Sequence, residues 1–449
     1  MKNSIFEKLV TLLNENITAF DLTDRVSYQP LLEAIGDSRI VLMGEATHGT
    51  QEFYQARMNL SEFLIKEKGF QAIAIEGDWT SAYQIDQYLQ GVGESNNPYQ
   101  ALEDFKRFPA WMWRNKLMLS FIKKLRLHND SISDFNNKVS FYGLDLYCLH
   151  SAMQAVIDFL QSTFPKLAEQ AVKRYACFDH TTFDPQQYGY LTEHHLKKDC
   201  VKEVTEQLLE MQRHIYSKIE KDAESKSKNF YALQNARLVK NSESYYRSLF
   251  EPHYVTWNIR DQHMVDTIQN IIAHLENTYN IPAKIIVWAH NSHVGDARAT
   301  EMSVQQEVNL GQLVRERFST SCFSLGFSTA LGTVTAASYW DGSAEYKNII
   351  QPIEGSYEQL FHSLELKNFI LNLKADNELS HLLNVSRLQR AIGVIYRPET
   401  ERASHYFFTR LPYQFDVLIH LDKTSYLEFL EDKASNNQGE LPDTYPEGY

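Results

Sequence analysis

Residues 41–54 read VLMGEATHGTQEFY and predict a strand, a tight loop and a helix, in that order. The apolar residues 40–43 are typical of a buried strand, and Thr50 is a good N-cap for a helix over residues 50–67. Glu45 and His48 lie in the loop between them. Because chemistry in open α/β sheets gathers where strands end and helices begin, both side chains are candidates for a catalytic acid or base.

A second stretch, residues 284–293, reads KIIVWAHNSH and has the same organisation. Its apolar run ends in a loop that carries His290, Asn291 and His293. A single Glu-x-x-His pair is more often a set of loop groups that hydrogen-bond a helix N-terminus. Two strands that both end in histidine-bearing loops favour the catalytic interpretation.

A third strand is predicted over residues 70–75, and it ends at Glu76. Asp78 follows and is a candidate for the same site; the alternative is that it caps a helix over residues 80–89. Glu76 has no such structural role, so it joins the candidate site. Trp79 and Trp111, from the aromatic-rich segments beside these strand ends, are candidates for the walls of a substrate cleft. The alternative is that the tryptophans pack as core beneath a loop.

Composition limits the classes of partner. The 449 residues carry 57 acidic and 44 basic side chains, a formal net charge of -13, which argues against nucleic acid or an anionic membrane as the main partner. No apolar run is long enough to span a membrane, and the N-terminal residues 1–20 predict an amphipathic helix rather than a secretion signal. The four scattered cysteines favour reduced thiols in a cytoplasmic protein. The oligomeric state does not follow from the sequence.

The predicted fold class is α/β, with a three-layer core around a mostly parallel sheet. Residues 1–150, 281–340 and 391–425 are predicted to form this core. Long helical periodicity over residues 151–280 predicts a helical insertion that overhangs the site, and Arg260 and Asp261 within it are interpreted as an ion pair that joins insertion to core. Residues 341–390 predict a small α+β unit, and residues 432–449 a disordered tail.

Together these segments resemble the erythromycin esterase family. The resemblance lies in GEATHGTQEF at residues 44–53, IAIEGDW at 73–79, FPAWMWRN at 108–115, FYGLDLY at 141–147, WNIRDQHM at 257–264 and VWAHNSHVGDARAT at 287–300. It implies an esterase that cleaves a cyclic or linear ester with water and without a covalent nucleophile. It further implies that the functional positions are Glu45, His48, Arg57, Glu76, His290 and His293.

The residue chemistry agrees with this resemblance. The nearest match to a Gly-x-Ser-x-Gly nucleophile motif, residues 326–330, lacks its second glycine. His48 is the natural general base, Glu45 or Glu76 would orient it, and Arg57 and His290 would donate hydrogen bonds to the carbonyl oxygen. The expected partner is a small-molecule ester, with no cofactor and no metal.

Two other classes of function stay open. Glu45, His48, His290 and His293 are legitimate zinc or iron ligands, although the cation of Arg57 beside them disfavours a metal ion. A cleft that binds a glycan or polyketide without catalysis is the other alternative. Gathering so many ionisable groups costs stability, which favours catalysis over simple binding.

Overall fold

The computed structural model describes residues 2–133, 137–178, 185–217 and 222–430. Its strands are β1 (Ile17–Ala19), β2 (Ile40–Met43), β3 (Ala72–Asp78), β4 (Ser140–Asp145), β5 (Ile285–Trp288), β6 (Cys322–Ser328), β7 (Leu331–Ala336), β8 (Glu345–Ile349), β9 (Asn368–Asn372), β10 (Arg387–Arg390), β11 (Tyr406–Thr409), β12 (Val417–Leu421) and β13 (Lys423–Thr424).

The helices of the first half are α1 (Lys2–Asn16), α2 (Gln29–Ile35), α3 (Gln51–Lys68), α4 (Trp79–Gln90), α5 (Lys116–Ser131), α6 (Leu149–Thr163), α7 (Pro165–Tyr175), α8 (Pro185–Glu193) and α9 (Val201–Ser217). Those of the second half are α10 (Ala223–Arg247), α11 (His253–Tyr279), α12 (Asn291–Val294), α13 (Leu310–Phe318), α14 (Tyr357–His362), α15 (Glu378–Leu383), α16 (Glu401–Ser404) and α17 (Leu411–Gln414).

An eight-stranded sheet in the order β1-β9-β12-β6-β2-β5-β3-β4 forms the centre of the molecule. The strands from β12 to β4 are parallel, whereas β9 and β1 pair antiparallel at one side. The central strands β2 and β5 are buried along their whole length, as expected for parallel strands covered on both faces. The mixed α/β fold with a mostly parallel sheet is therefore as predicted.

Parallel pairing brings the ends of β2, β5, β3 and β4 to the same edge of the sheet. Trp288 pairs with Met43 on one side and Ile75 on the other, and Ile75 pairs with Gly143. The loops that follow these strands are therefore neighbours, although they are far apart in sequence.

Two apolar clusters cover the two faces of the sheet. One joins alternate sheet residues to α3, α4 and α5, and the other joins the opposite face to α6–α11 and α13–α14. The helical insertion therefore packs on the sheet and extends its core. From residue 149 to residue 279 the described residues form helices and connections but no strand, as the helical periodicity predicts.

The prediction of a separate α+β unit over residues 341–390 is wrong in one respect. Strand β9 lies within that range, yet it pairs with β1 and β12 in the main sheet. Its three central residues are buried, so this strand belongs to the main core. The tail predicted over residues 432–449 lies outside the described residues.

The expectation of four reduced thiols is also wrong. Cys177 and Cys200 form a disulfide with a Cα–Cα distance of 5.8 Å, whereas Cys148 and Cys322 are free and buried. Spacing along the chain did not show this pairing, because Cys177 follows α7 and Cys200 precedes α9, and only the packing of these segments brings the two cysteines together. Among the described residues, no helix combines the length and apolar content that crossing a bilayer requires.

Candidate active site

The loop between β2 and α3 is held against two neighbouring segments. A Cβ on Gly44 would lie 2.1 Å from Asn291 Oδ1, and one on Gly49 would lie 1.9 Å from the Thr335 carbonyl oxygen. Both glycines are therefore required by close approach. Thr50 stands at the N-cap position as predicted, but its hydroxyl pairs with Thr47 rather than with the helix.

Glu45 lies between His48 and Arg57 and is buried. Its Oε1 lies 2.9 Å from His48 Nδ1, and its Oε2 accepts a hydrogen bond from Arg57 Nη2. A carboxylate only accepts, so these partners assign the proton to His48 Nδ1 and leave Nε2 of the neutral ring as an acceptor. The Arg57 guanidinium is itself buried, and its carbon lies 4.6 Å from the ring centroid of Tyr54 and 5.0 Å from that of Trp288.

His290 has the opposite tautomer. Its Nδ1 lies 2.8 Å from Ser292 Oγ and accepts the Ser292 backbone N–H at 3.3 Å, so the proton of the neutral ring is on Nε2. This Nε2 is buried and has no hydrogen-bond partner among the described residues. Burial and the neighbouring His48 lower the pKa of His290 well below its usual range, against the opposing charge of Glu76. The two imidazole centroids are 4.8 Å apart.

Glu76 connects the second histidine loop to the helical insertion. Its Oε2 accepts the backbone N–H of His290, and its Oε1 accepts from Arg260 Nη2, both at 2.8 Å. Although burial raises the pKa of Glu76, the charges of His293 and Arg260 lower it well below its usual range. Arg260 also donates Nε and Nη2 to the two carboxylate oxygens of Asp145, at 2.8 Å and 2.7 Å.

His293 lies next to the ion pairs of Arg260 with Glu76 and Asp145. Its Nδ1 lies 2.9 Å and 3.0 Å from the two oxygens of Asp261, and its ring stacks on Trp257 at a centroid distance of 4.6 Å. Burial lowers the pKa of His293, but Asp261 and Glu76 outweigh it and raise the pKa to about 10. The ring is therefore a cation at neutral pH.

The protonation of His293 decides between two neighbours of its Nε2. Arg260 Nη1 lies 3.0 Å away and Glu76 Oε1 lies 3.3 Å away. A protonated Nε2 donates to Glu76 and does not accept from Arg260. The buried cluster contains the carboxylates of Glu76, Asp145 and Asp261 and the guanidinium of Arg260. A positive charge on His293 reduces the net negative charge of this cluster, and we assign the proton accordingly.

These side chains line one face of a cleft of about 150 Å³. Asp78 lies at its edge and accepts two hydrogen bonds from Arg107, at 3.0 Å and 3.1 Å, instead of capping α4 with its side chain. The other walls are largely apolar and comprise Phe105, Phe108, Pro109, Met112, Trp113, Tyr147, Trp257, Trp340 and Val394.

The structure brings most of the predicted site residues together. His48, Glu76, Asp78, His290 and His293 line the cleft, and Glu45 and Arg57 lie behind His48.

Two predicted cleft residues lie elsewhere. Trp79 packs between Tyr142 and Tyr231 beside the insertion, and Trp111 is buried in the core, so neither belongs to the described cleft lining. Trp113 and Trp340 line the cleft instead. Trp113 belongs to the same aromatic segment as Trp111, and Trp340 comes from a loop that is distant in sequence.

The interpretation of Arg260 and Asp261 as a pair with each other is wrong. Each pairs with a different core partner, Arg260 with Asp145 and Glu76, and Asp261 with His293. Neighbouring residues on a helix do not face each other, which was the signal available in the sequence. Sequence reasoning missed Asp145 and Arg107 as site residues. Asp145 ends β4 in the same way that Glu76 lies near the end of β3, so its position was a usable signal.

The candidate metal ligands predicted from the sequence are Glu45, His48, His290 and His293. Among the described residues, no group of three or more His, Cys, Asp or Glu side chains is arranged to hold a metal ion. Glu45 is engaged by His48 and Arg57, and His293 is engaged on both nitrogens, so the four candidate ligands do not point at one centre. The donor set in this arrangement does not fit a resident metal.

The fold and the cleft define an α/β protein with a histidine and carboxylate site at the strand ends. Comparison with known families is more specific: the erythromycin esterase family model matches residues 65–424. The chain belongs to the erythromycin esterase family, as its motifs suggest. The match begins after Glu45, His48 and Arg57, so their assignment depends on the geometry above.

Individual relatives are distant but cover nearly the whole chain. Erythromycin esterase type II of Escherichia coli is 22% identical over 89% of this chain and 93% of its own length. A crystal structure of a succinoglycan biosynthesis protein has a TM-score of 0.74 at 22% identity, covering 95% of this chain and 99% of that one. An erythromycin esterase mutant in its open conformation has a TM-score of 0.65 at 16% identity, covering 91% and 97%. These structures share the fold.

Proposed function

We propose that this protein hydrolyses an ester or lactone with a water molecule that His48 activates, without a covalent acyl intermediate. The observation that carries the proposal is the Glu45–His48 pair, which leaves His48 Nε2 as an acceptor at the cleft. Family membership supports a hydrolase, and the name of the Escherichia coli relative makes erythromycin the first substrate to test.

In this mechanism His48 Nε2 takes a proton from water while the water oxygen bonds to the carbonyl carbon. Glu45 stabilises the imidazolium that forms, and His290 Nε2–H donates to the oxygen that gains negative charge. The carbon–oxygen bond to the leaving group then breaks, and the proton on His48 passes to the departing alkoxide. The products are a carboxylic acid and an alcohol.

Arg57 has a different role from the one expected of it. Its guanidinium is buried behind Glu45 rather than exposed to the cleft, so it does not reach a substrate carbonyl in this arrangement. We propose that Arg57 holds the Glu45 carboxylate in its orientation through their ion pair, and thereby sets the tautomer of His48.

The cleft volume constrains the substrate. About 150 Å³ holds an ester group and a few flanking atoms, whereas pockets for drug-sized ligands are about 300–1,000 Å³. A macrolide therefore requires movement of the apolar wall that contains Trp340. Smaller lactones and esters with apolar flanks fit the cleft with less movement.

A second candidate mechanism has a specific observation in its favour. Ser292 lines the cleft, and its Oγ lies 2.8 Å from His290 Nδ1, which is the contact that a serine nucleophile needs. His290 Nε2, however, has no carboxylate partner to orient the ring, unlike His48. The water mechanism therefore ranks first.

The test compares wild-type protein with Ser292→Ala on erythromycin and on a panel of smaller lactones and esters. Mass spectrometry follows the gain of one water by the substrate, with and without prior dialysis against a chelator. Activated water predicts that Ser292→Ala stays within about tenfold of wild type, and that the chelator has no effect. A loss of about a millionfold would establish the serine mechanism, and loss on chelation with recovery on adding zinc would establish a metal hydrolase.

A further inference from the structure

A second cavity lies outside the proposed active site, between edge strand β4, helix α4 and helices α10 and α11. Its volume is about 350 Å³, more than twice that of the cleft, and the two share none of their described lining residues. It opens beside the start of β4, at Ser140, whereas the cleft contains Asp145 at the end of that strand. A ligand in this cavity would therefore not touch the catalytic groups.

Stacked aromatic rings form the walls of this cavity. Tyr83 lies against Tyr231 with ring centroids 3.5 Å apart, and Tyr231 in turn stacks on Trp79 at 5.8 Å. On another side, Phe230 stacks on His274 at 4.2 Å with parallel planes. Ring faces carry partial negative charge and attract a cation where no other ring covers them; among the described ring contacts, Tyr83 is stacked on one side only, by Tyr231.

A partly exposed carboxylate lies among these rings. Asp86 on α4 accepts the backbone N–H of Phe141 at 2.9 Å and Gln90 Nε2 at 3.3 Å, both on Oδ1. Within the described part of the chain, Asp86 forms no ion pair. Gln90 Oε1, which also lines the cavity, is buried without a hydrogen-bond partner. Asp86 therefore has hydrogen bonds but no cation beside it, and Gln90 Oε1 has no donor, so a cationic ligand would supply what each group lacks.

The other charges around the cavity do not neutralise Asp86. Lys228 pairs with Glu224, its neighbour on α10, at 2.6 Å. Burial and the charge of Lys226 lower the pKa of His274 to about 4, so its ring is neutral at neutral pH. Burial raises the pKa of Asp86 to about 6, which still leaves the carboxylate mainly ionised at neutral pH. The cavity therefore keeps one negative charge.

We propose that this cavity is a binding site for a small organic cation, an amine or quaternary ammonium group that lies against the aromatic rings and pairs with Asp86. The face of Tyr83 that Tyr231 does not cover supplies a cation–π contact, and Gln90 Oε1 is available to a polar group of the ligand. This inference does not depend on the proposed hydrolysis.

The test uses choline and its uncharged isostere 3,3-dimethylbutan-1-ol as probes of full-length protein, measured by isothermal titration calorimetry. Choline should bind saturably to one site, and the neutral isostere should bind at least about tenfold more weakly because it lacks the charge. Equal binding of both probes, or no binding of choline, overturns the proposal.

Variants locate the site. Asp86→Asn and Tyr83→Leu should each weaken choline binding by about tenfold or more, whereas Trp340→Ala in the cleft should leave it unchanged. Loss of binding in Trp340→Ala alone would place choline in the cleft and overturn the proposal. If circular dichroism shows that Asp86→Asn does not fold, Tyr83→Leu and the isostere comparison decide the question.

Discussion

Glu45 is the residue on which the arrangement of the catalytic histidine depends. It receives His48 Nδ1 on one oxygen and Arg57 on the other, and all three side chains are buried or nearly so. An ion pair enclosed in this way contributes little net stability, but the loss of one partner leaves the other charge buried without compensation. The pair therefore serves orientation more than stability.

This asymmetry predicts the outcome of a double-mutant cycle. Arg57→Met should lower the free energy of unfolding by about 3–5 kcal/mol, because it leaves the Glu45 carboxylate buried and unpaired. Adding Glu45→Gln to Arg57→Met should restore part of that loss, since no charge then remains. Urea denaturation monitored by circular dichroism measures each variant. Additive losses in the double variant would contradict the paired arrangement.

At this scale the sequence predicted which side chains come together at the strand ends, and their catalytic roles stay predictions. Glu45, Glu76 and His290 each follow an apolar run that predicts a buried strand, so the sequence predicts that they lie at the same edge of the sheet. Arg260 and Asp261 could not be assigned in the same way. Their partners, Asp145, Glu76 and His293, lie far away in sequence, and helical periodicity does not specify which core loop a helix face meets.

Among the elements, α11 contributes Trp257 and Arg260 to the lining of the cleft. Arg260 and Asp261 near its start bind the ends of β3 and β4 and the loop after β5. The helix thereby fixes the position of the insertion relative to the proposed site. The apolar face of α11 packs on the sheet, and these ion pairs add an electrostatic attachment that should respond to pH.

The charge of His293 gives this attachment a defined pH dependence. Asp261 and Glu76 outweigh burial and raise its pKa from an ordinary value of 6.5 to about 10, so its stabilising contribution is complete below pH 6.5 and is lost as the pH rises towards 10. Between about pH 7 and about pH 9.5, wild type should lose on the order of 3 kcal/mol of unfolding free energy relative to His293→Gln. Parallel pH profiles of the two proteins, from urea denaturation, would contradict this protonation state.

The tryptophans show where element-level prediction failed. An aromatic residue beside a strand end suits a cleft wall and a core position equally well. Trp79 is the first residue of α4, and the helix turns it towards Tyr142 and Tyr231, away from the cleft. The direction of a side chain at a helix start depends on packing partners that local sequence does not identify.

At the scale of the whole molecule, the fold class followed from the order of the apolar runs, but the assembly of distant segments did not. Strand β9 is separated from β6 by two strands of another sheet along the chain, yet it joins the main sheet by pairing antiparallel with β12. The disulfide between Cys177 and Cys200 is a second example, since it depends on how α7 and α9 pack.

The disulfide predicts a measurable contribution of the insertion to overall stability. The two cysteines are 23 residues apart in sequence, and closing a loop of this size stabilises a protein by about 3 kcal/mol in the chain-entropy model. Cys200→Ser should lower the unfolding free energy by about that amount, whereas Cys148→Ser, at a free thiol, serves as the matched control. Thiol titration of the unreduced, denatured protein should find the two free cysteines, Cys148 and Cys322. Four reactive thiols would contradict the bond.

The central claim is that His48 activates the attacking water, and its most direct test is the kcat/KM of His48→Asn on a substrate that wild type hydrolyses. Asparagine can still donate to Glu45 but cannot take a proton from water, so kcat/KM should fall by about a hundredfold or more with the circular dichroism spectrum unchanged. His194→Asn, at an exposed histidine remote from the cleft lining, is the matched control and should keep the wild-type rate. A folded His48→Asn protein that hydrolyses the substrate at the wild-type rate would contradict the account.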